Sequence, residues 1–270
     1  MKFGLQMVPA YPSGAAAAAE LEHQLDQLRA ARDAGFSSAW VAQHYVGAPF
    51  QYLQTIPTLG RVAAEAGHMT IGSCVLLMPL NHPVRVAEEM ASLDIISLRP
   101  MQQPRPQIWM GAQNGYAIRR VARLADSWIV PPRTLTEVKE RFEVYKAARA
   151  ELGKPMPPEL AVRIDVVLSE NRQTVLDETR SALEATYDAF QRWGLSKVDP
   201  SEAVIERPLD QWAHERLIIG TPDDCLERLA GYGSVGLNHF VLRVHFPGIA
   251  PEYALRTIIL LRQHVVPAFA

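Results

Sequence analysis

The sequence predicts an α/β protein, a parallel (β/α)8 barrel in which the region of the fourth strand is missing. Short apolar runs alternate with polar turns and with longer segments whose apolar residues lie three and four apart, the pattern of repeated βαβ units. The length of 270 residues is close to the ~250 of one such barrel and suffices for one domain spanning 1–270 with its own core. Between Ile96 and Gln107, however, the chain passes from a helix end into the proline-rich Pro100-Met101-Gln102-Gln103-Pro104-Arg105-Pro106, with no apolar strand in between.

Strands are expected at 2–7, 38–42, 70–77, 107–110, 127–130, 160–168 and 240–244. Helices are expected at 20–34, 56–66, 83–96, 115–125, 136–152, 172–193 and 252–266, with an extra one at 222–232. Gly35, Gly67 and Gly153 stand where helices stop, which suits a left-handed C-cap. Thr221 precedes Pro222 as an N-cap before a proline at the first helical position, and Pro83 and Thr136 open helices in the same way. Residues 195–216 have weak periodicity and read as an insertion before the last βα unit, either a lid or a surface excursion. Seven strands leave the barrel one short, and an open parallel barrel exposes two strand edges that loop, helix or partner must cover.

Composition removes several function classes. The 27 basic and 29 acidic residues give a formal charge of −2, which is no footprint for a nucleic acid. Cys74 and Cys225 are the two cysteines; they form no Cys-x-x-Cys pair and no disulfide framework, which fits a cytoplasmic protein. No stretch approaches the ~20 apolar residues of a membrane span, and the alanine run at 15–19 is too weakly apolar for a secretory signal. The string Gly231-Tyr232-Gly233-Ser234-Val235-Gly236 matches G-x-G-x-x-G but follows a helix and precedes a strand, the reverse of a dinucleotide site. Metalloprotease, phosphate-loop and nucleophile-elbow motifs are all missing from the sequence.

Parallel barrels carry their chemistry on the loops after the strands. After the second strand, Trp40-Val41-Ala42-Gln43-His44-Tyr45 breaks into a histidine at the mouth. An ordinary imidazole pKa near ~6.5 suits His44 to proton transfer; the alternative is a rim histidine with both ring nitrogens satisfied. The third strand, Gly72-Ser73-Cys74-Val75-Leu76-Leu77-Met78-Pro79, is nearly all apolar, and Cys74 reads as packing, not as a nucleophile. A flat aromatic ligand fits against its end. Gly111-Ala112-Gln113-Asn114-Gly115-Tyr116 opens a helix with small and polar residues, either a phosphate site at the dipole's positive end or an ordinary βα turn. Arg243 and His245 alternate on the last strand and so share a face.

Several of these stretches resemble the luciferase-like flavin monooxygenases and their deazaflavin (F420) dependent relatives. The likeness runs from Lys2-Phe3-Gly4-Leu5 and Ala34-Gly35-Phe36 through Val41-Ala42-Gln43-His44, and is most specific in Met78-Pro79-Leu80-Asn81-His82-Pro83-Val84-Arg85 with Leu93-Asp94-Ile95-Ile96-Ser97. It continues in Pro104-Arg105-Pro106-Gln107-Ile108-Trp109-Met110-Gly111, in Ala125-Asp126-Ser127-Trp128, and in Ile219-Gly220-Thr221-Pro222. The resemblance implies that His44 is the active-site histidine. It also implies a non-prolyl cis peptide at Cys74-Val75 beneath the isoalloxazine, Met78 nearby, and a phosphate turn formed by Ala112, Gln113, Asn114 and Gly115. It implies reduced FMN acting with O2 on a small organic substrate, F420-dependent hydride transfer as one alternative, and a non-catalytic flavin-binding protein with an incomplete barrel as another. A separate flavin reductase and a second copy in a homodimer are the implied partners. After Ser97 the family continues with a Gly-Gly-Arg turn and a glycine-rich fourth strand, whereas this chain has Leu98-Arg99-Pro100.

Overall fold

The computed structural model describes residues 1–96, 105–198 and 200–269. Its strands are β1 (Lys2–Met7), β2 (Ala10–Pro12), β3 (Ser38–Val41), β4 (Phe50–Tyr52), β5 (Thr70–Ser73), β6 (Trp109–Gly111), β7 (Ser127–Val130), β8 (Ala161–Leu168), β9 (Ile218–Gly220) and β10 (His239–Arg243). Its helices are α1 (Ala17–Asp33), α2 (Thr55–Ala63), α3 (Pro83–Ile96), α4 (Gly115–Leu124), α5 (Leu135–Glu151), α6 (Arg172–Arg192), α7 (Leu195–Val198), α8 (Ala213–Arg216), α9 (Pro222–Val235) and α10 (Pro251–Leu260). The main sheet is parallel throughout and runs β5-β3-β1-β10-β8-β7-β6, with β9 added beside the end of β8. Among the described residues this is a parallel barrel-type sheet whose ends, β5 and β6, are not paired with each other. The segment in which a strand is missing from the sequence pattern, 97–104, lies outside the described residues; β5 and β6 end the sheet on either side of it.

Two-residue alternation sorts the side chains into two layers. Phe3, Leu5 and Met7 of β1, Val162 and Ile164 of β8, and Phe240 and Leu242 of β10 face the helices and join the main core. Cys74, Ile129, Ala161 and Val241 point the other way and pack with Trp40 and Trp109 inside the curved sheet. The Trp40 and Trp109 rings meet with centroids 5.1 Å apart, so β3 and β6 touch across the interior although five places separate them along the sheet. Both faces of the central strands β1, β10, β8 and β7 are covered, which is why they read as nearly unbroken apolar runs.

Room for Trp40 comes from glycine. A Cβ on Gly4 would lie 2.4 Å from Ser38 Oγ and 2.8 Å from Trp40 Nε1, and one on Gly72 would lie 2.8 Å from Trp40 Cζ3. Ser38 Oγ in turn accepts the Trp40 indole N–H at 2.9 Å and lies 2.8 Å from His239 Nε2. The indole is thus held by a hydrogen bond in a slot without space for a methyl group.

The chain departs from the expected elements in several places. The third strand was expected over 70–77 but stops at Ser73, because the backbone turns at Cys74 and winds into a 3-10 turn at Met78–Leu80. A short antiparallel ribbon of β2 and β4 covers the mouth; three-residue strands are too short to show a period. The cap of α5 is Thr134, not Thr136: its hydroxyl accepts from Glu137 N–H while the Glu137 carboxylate accepts from Thr134 N–H. A capping box needs an acid three residues on, and residue 139 is a lysine. The last helix is α-helical only to Leu260, followed by a π turn and a 3-10 turn that bring Phe269 onto Phe3 and Phe240. Gly35, Gly67 and Gly153 take positive φ angles of 84°, 61° and 63° at helix ends, as expected.

The insertion at 195–216 is packed. Ile205, Leu209, Trp212 and Ala213 bury themselves against Leu183 and Tyr187 of α6 and against Phe246 and Ile249, forming a second core. Its short helical turns lack the length to show periodicity, which is why it reads as a surface excursion.

Substituting Gly4→Ala is expected to cost about 1–3 kcal/mol in urea unfolding, the usual range for overpacking, and adding Ser38→Gly should recover part of the loss. A loss unaffected by the second change would mean that the Ser38 contact is not the cause.

Candidate functional site

The strand ends around β1, β8 and β10 carry a buried polar network. On β8, Arg163 and Asp165 are two apart and both face inward; Arg243 of β10 stands opposite Asp165 in the register. Asp165 is fully buried. Its Oδ1 accepts from Arg243 Nε at 2.7 Å and forms an ion pair with Arg163 Nη2 at 2.9 Å, and its Oδ2 accepts from Arg243 Nη2 and from the Tyr187 hydroxyl. Burial alone pushes the Asp165 carboxyl up, but the two guanidiniums outweigh it and hold it below the usual range. Burial lowers Arg163, with Asp165 acting in the opposite sense and Arg243 adding to the lowering. Arg163 Nε continues the network to Gln6 Oε1 at 2.8 Å, and Gln6 Nε2 donates to the Cys74 carbonyl at 2.7 Å.

His44 lies beyond β3 in an aromatic corner. Its ring is half-buried, with centroids 4.9 Å from Tyr52, 5.0 Å from Trp193 and 6.5 Å from Phe190. Trp193 is fixed by its indole N–H donating to the Ala48 carbonyl at 2.9 Å. Burial, helped by Arg243 and Arg163, lowers the His44 pKa to about 4. The imidazole is therefore neutral at pH 7, a proton acceptor and not the evenly poised group an ordinary pKa suggests. His245 departs from expectation differently: β10 ends at Arg243, so strand alternation no longer directs it. It packs under α1, where Gln27 Nε2 lies 3.3 Å from its Nδ1, and burial lowers its pKa to about 4.

The Cys74-Val75 peptide bond is cis, as the resemblance implies. Cys74 is buried and its thiol is pushed up to about 11, chiefly by burial, so it remains a protonated packing residue. Val75 and Met78 are 42% and 44% exposed, leaving an apolar face open beside the Gln6-held carbonyl. The turn between them is fixed by Leu77 N–H donating to Gln43 Oε1 at 2.7 Å and by Asn81 Nδ2 donating to the Leu77 carbonyl at 2.8 Å. A Cβ on Gly111 would lie 3.9 Å from Val75 Cγ1, so this face adjoins the end of β6.

The turn after β6 is built for order. Trp128 Nε1 donates to the Ala112 carbonyl at 3.2 Å, Arg141 Nε to the Gln113 carbonyl at 2.8 Å, and Arg133 to Gln113 Oε1 at 3.1 Å. Asn114 caps α4 by accepting from Ala117 N–H at 2.9 Å. Beside the start of the helix lies a cleft of about 290 Å³ lined by Gln113, Asn114 and Gly115 together with Ile118, Glu140, Arg141 and Val144. Arg133 and Arg216 both bind Glu202, which ties the insertion to this turn. Among the described residues no cluster of three or more His, Cys, Asp or Glu side chains is arranged to hold a metal, and no helix is long and apolar enough to cross a membrane.

The model of the luciferase-like monooxygenase family matches residues 1–98 and 96–239. The chain belongs to this family. A curated luciferase-like monooxygenase of Escherichia coli (strain K12) is 27% identical over 94 residues, a match spanning 35% of this chain and 28% of that protein's length. Three solved structures share the fold. Monooxygenase RslO1 from Streptomyces bottropensis superposes with a TM-score of 0.83 at 18% identity, covering 100% of both chains. The oxygenating constituent of 3,6-diketocamphane monooxygenase from Pseudomonas putida, in complex with FMN, gives 0.78 at 14%, covering 100% of this chain and 99% of that one. The coenzyme F420-dependent tetrahydromethanopterin reductase from Methanopyrus kandleri gives 0.74 at 14%, with coverage of 100% and 99%.

In this luciferase-like chain the expected site residues fall into three neighbouring places: His44 in the aromatic corner, Cys74, Val75 and Met78 at the shelf, and Ala112, Gln113, Asn114 and Gly115 at the helix N-terminus. The polar network links the first two through Arg243, Asp165, Arg163 and Gln6. Sequence reasoning missed Gln6, Arg163, Asp165 and Tyr187. A signal existed for two of them: charges two apart in the apolar run Ala161-Val162-Arg163-Ile164-Asp165-Val166 must share a strand face.

Removing the shared carboxylate with Asp165→Ala should cost about 3–5 kcal/mol in urea unfolding, because two buried guanidiniums lose their counter-ion. His44 and His245 titrate near 4 when folded and near ~6.5 when unfolded. The unfolded chain therefore binds more protons between those values, and stability is full above about pH 6.5 and falls as pH drops toward 4. Urea midpoints should decline from pH 7 to pH 5, and less steeply in His245→Gln; an unchanged slope would remove His245 from the account.

Proposed function

We propose that this chain is a flavin-dependent oxidoreductase, a monooxygenase that takes reduced FMN and O2 to a small organic substrate. The observation that carries the reading is adjacency. An open apolar face at Val75 and Met78 adjoins β6, whose next turn presents the N-terminus of α4 beside Arg141. A flavin mononucleotide needs a flat apolar support for its ring and an anion site for its phosphate, so the residues present fit the group. Ala112 to Gly115 would hold the phosphate, and Cys74, Val75 and Met78 would bear the ring.

When bound, reduced FMN supplies two electrons to dioxygen. The chain's own residues do the rest. Gln6 fixes the carbonyl of the shelf, so the support under the ring does not shift. His44, neutral at pH 7, accepts a proton at a ring nitrogen, and Tyr52, Phe190 and Trp193 exclude water around it. F420 carries a comparable flat ring and a phosphate, and the likeness to an F420-dependent reductase supports hydride transfer as the second reading. A separate reductase would supply the reduced flavin, and a second copy would cover the edges left by β5 and β6. A reducing cytoplasm suits the two buried free thiols.

Titration with reduced FMN and with reduced F420, followed by tryptophan fluorescence, tests the reading. Binding of FMN is expected, and binding of F420 alone would transfer the assignment to hydride transfer. Binding without turnover of any aldehyde or ketone would favour a flavin carrier, and binding of neither would overturn the proposal. His44→Asn should lower turnover about 10²- to 10⁴-fold with cofactor affinity unchanged.

A further inference from the structure

Charge at the strand mouth does not balance. Two guanidiniums, Arg163 and Arg243, are bonded to one carboxylate, and all four interactions at Asp165 are taken up by them and by Tyr187. Among the described residues no second acid is bonded to either arginine. Buried charges are normally paired, since an unpaired one forfeits its hydration without return. Arg243 is further enclosed by the faces of Phe246 and Phe190, its guanidinium carbon 4.6 Å and 5.6 Å from their centroids. The unmatched positive charge is therefore exposed toward the side of Arg163, whose side chain retains 15% of its accessible surface. Through Phe190 the arginines border the corner of His44, Tyr52, Phe190 and Trp193, four half-buried flat rings, and both guanidiniums act electrostatically on His44.

From this imbalance we infer that the substrate is a small planar acid, an aromatic carboxylate, phenolate or enolate, whose anionic oxygen pairs with Arg163 while its ring packs in the aromatic corner. The inference rests on the oxidoreductase reading only in calling the acid a substrate. A guanidinium offers a fork of donors matched to a carboxylate, and Arg163 spends its Nε on Gln6 and one terminal nitrogen on Asp165. Its other terminal nitrogen is the donor that the acid would take.

Calorimetric titration of benzoate, and of the neutral benzamide, into the cofactor-free protein and the FMN-loaded protein tests the assignment. Benzoate should bind and benzamide should bind at least tenfold more weakly. Arg163→Gln should reduce benzoate affinity roughly tenfold to a hundredfold, the range for a lost charge-assisted hydrogen bond, leave benzamide unchanged, and be partly rescued in Arg163→Lys. Equal binding of the two probes, or equal losses for both in the variant, would overturn the inference. FMN binding without benzoate binding would overturn it and leave the oxidoreductase reading standing, whereas benzoate binding without any flavin binding would support the acid site and remove the flavin. Should benzoate be excluded by reduced FMN but not by oxidised FMN, the reduced ring is the anion that Arg163 serves, and the substrate assignment falls.

Discussion

Asp165 is a fully buried carboxylate shared by two arginines, and the organisation of the mouth follows from that constraint. An ionised carboxylate inside a protein persists only where donors saturate its oxygens. Meeting that demand draws together β8, which carries Arg163 and Asp165, β10, which carries Arg243, and α6, which carries Tyr187. Because Arg163 also binds Gln6, and Gln6 holds the Cys74 carbonyl, the same requirement reaches β1 and the turn after β5. Electrostatics at one residue thereby sets the relative positions of five elements.

Beneath that layer the interior is filled by rings. Trp40 and Trp109 approach from β3 and β6 and meet, and the glycines at 4 and 72 leave the space that the Trp40 indole takes. A curved parallel sheet needs a close-packed interior, and two indoles supply volume that smaller side chains would leave empty. Above it, the insertion after α6 adds a second apolar cluster, with Trp212 against Tyr187 at 4.6 Å. That contact helps to hold the hydroxyl that donates to Asp165, so a segment outside the repeating units supports the polar network.

The histidine in the aromatic corner illustrates how neighbours define a residue's chemistry. Imidazole in water is half protonated near neutrality; burial among three rings, with two guanidiniums near by, keeps His44 neutral well below pH 6. The turn after β6 is likewise fixed by a distant group, its Gln113 carbonyl accepting from Arg141 Nε.

The sequence by itself determined the alternation of strand and helix, most element boundaries, the helix-ending glycines and the Thr221 cap, because each depends on residues within a turn or two of one another. It also singled out the turns at 74–78 and 112–115, where apolar strands give way to small or polar residues. Only the tertiary structure decided that Arg243 pairs with Asp165 from 78 residues away, that Tyr187 and Gln6 complete the network, that His44 loses its ordinary proton affinity, and that the insertion has a core. Those properties arise from groups distant in sequence, and local periodicity contains no term for which buried charge will face which, or for how much water is removed around it.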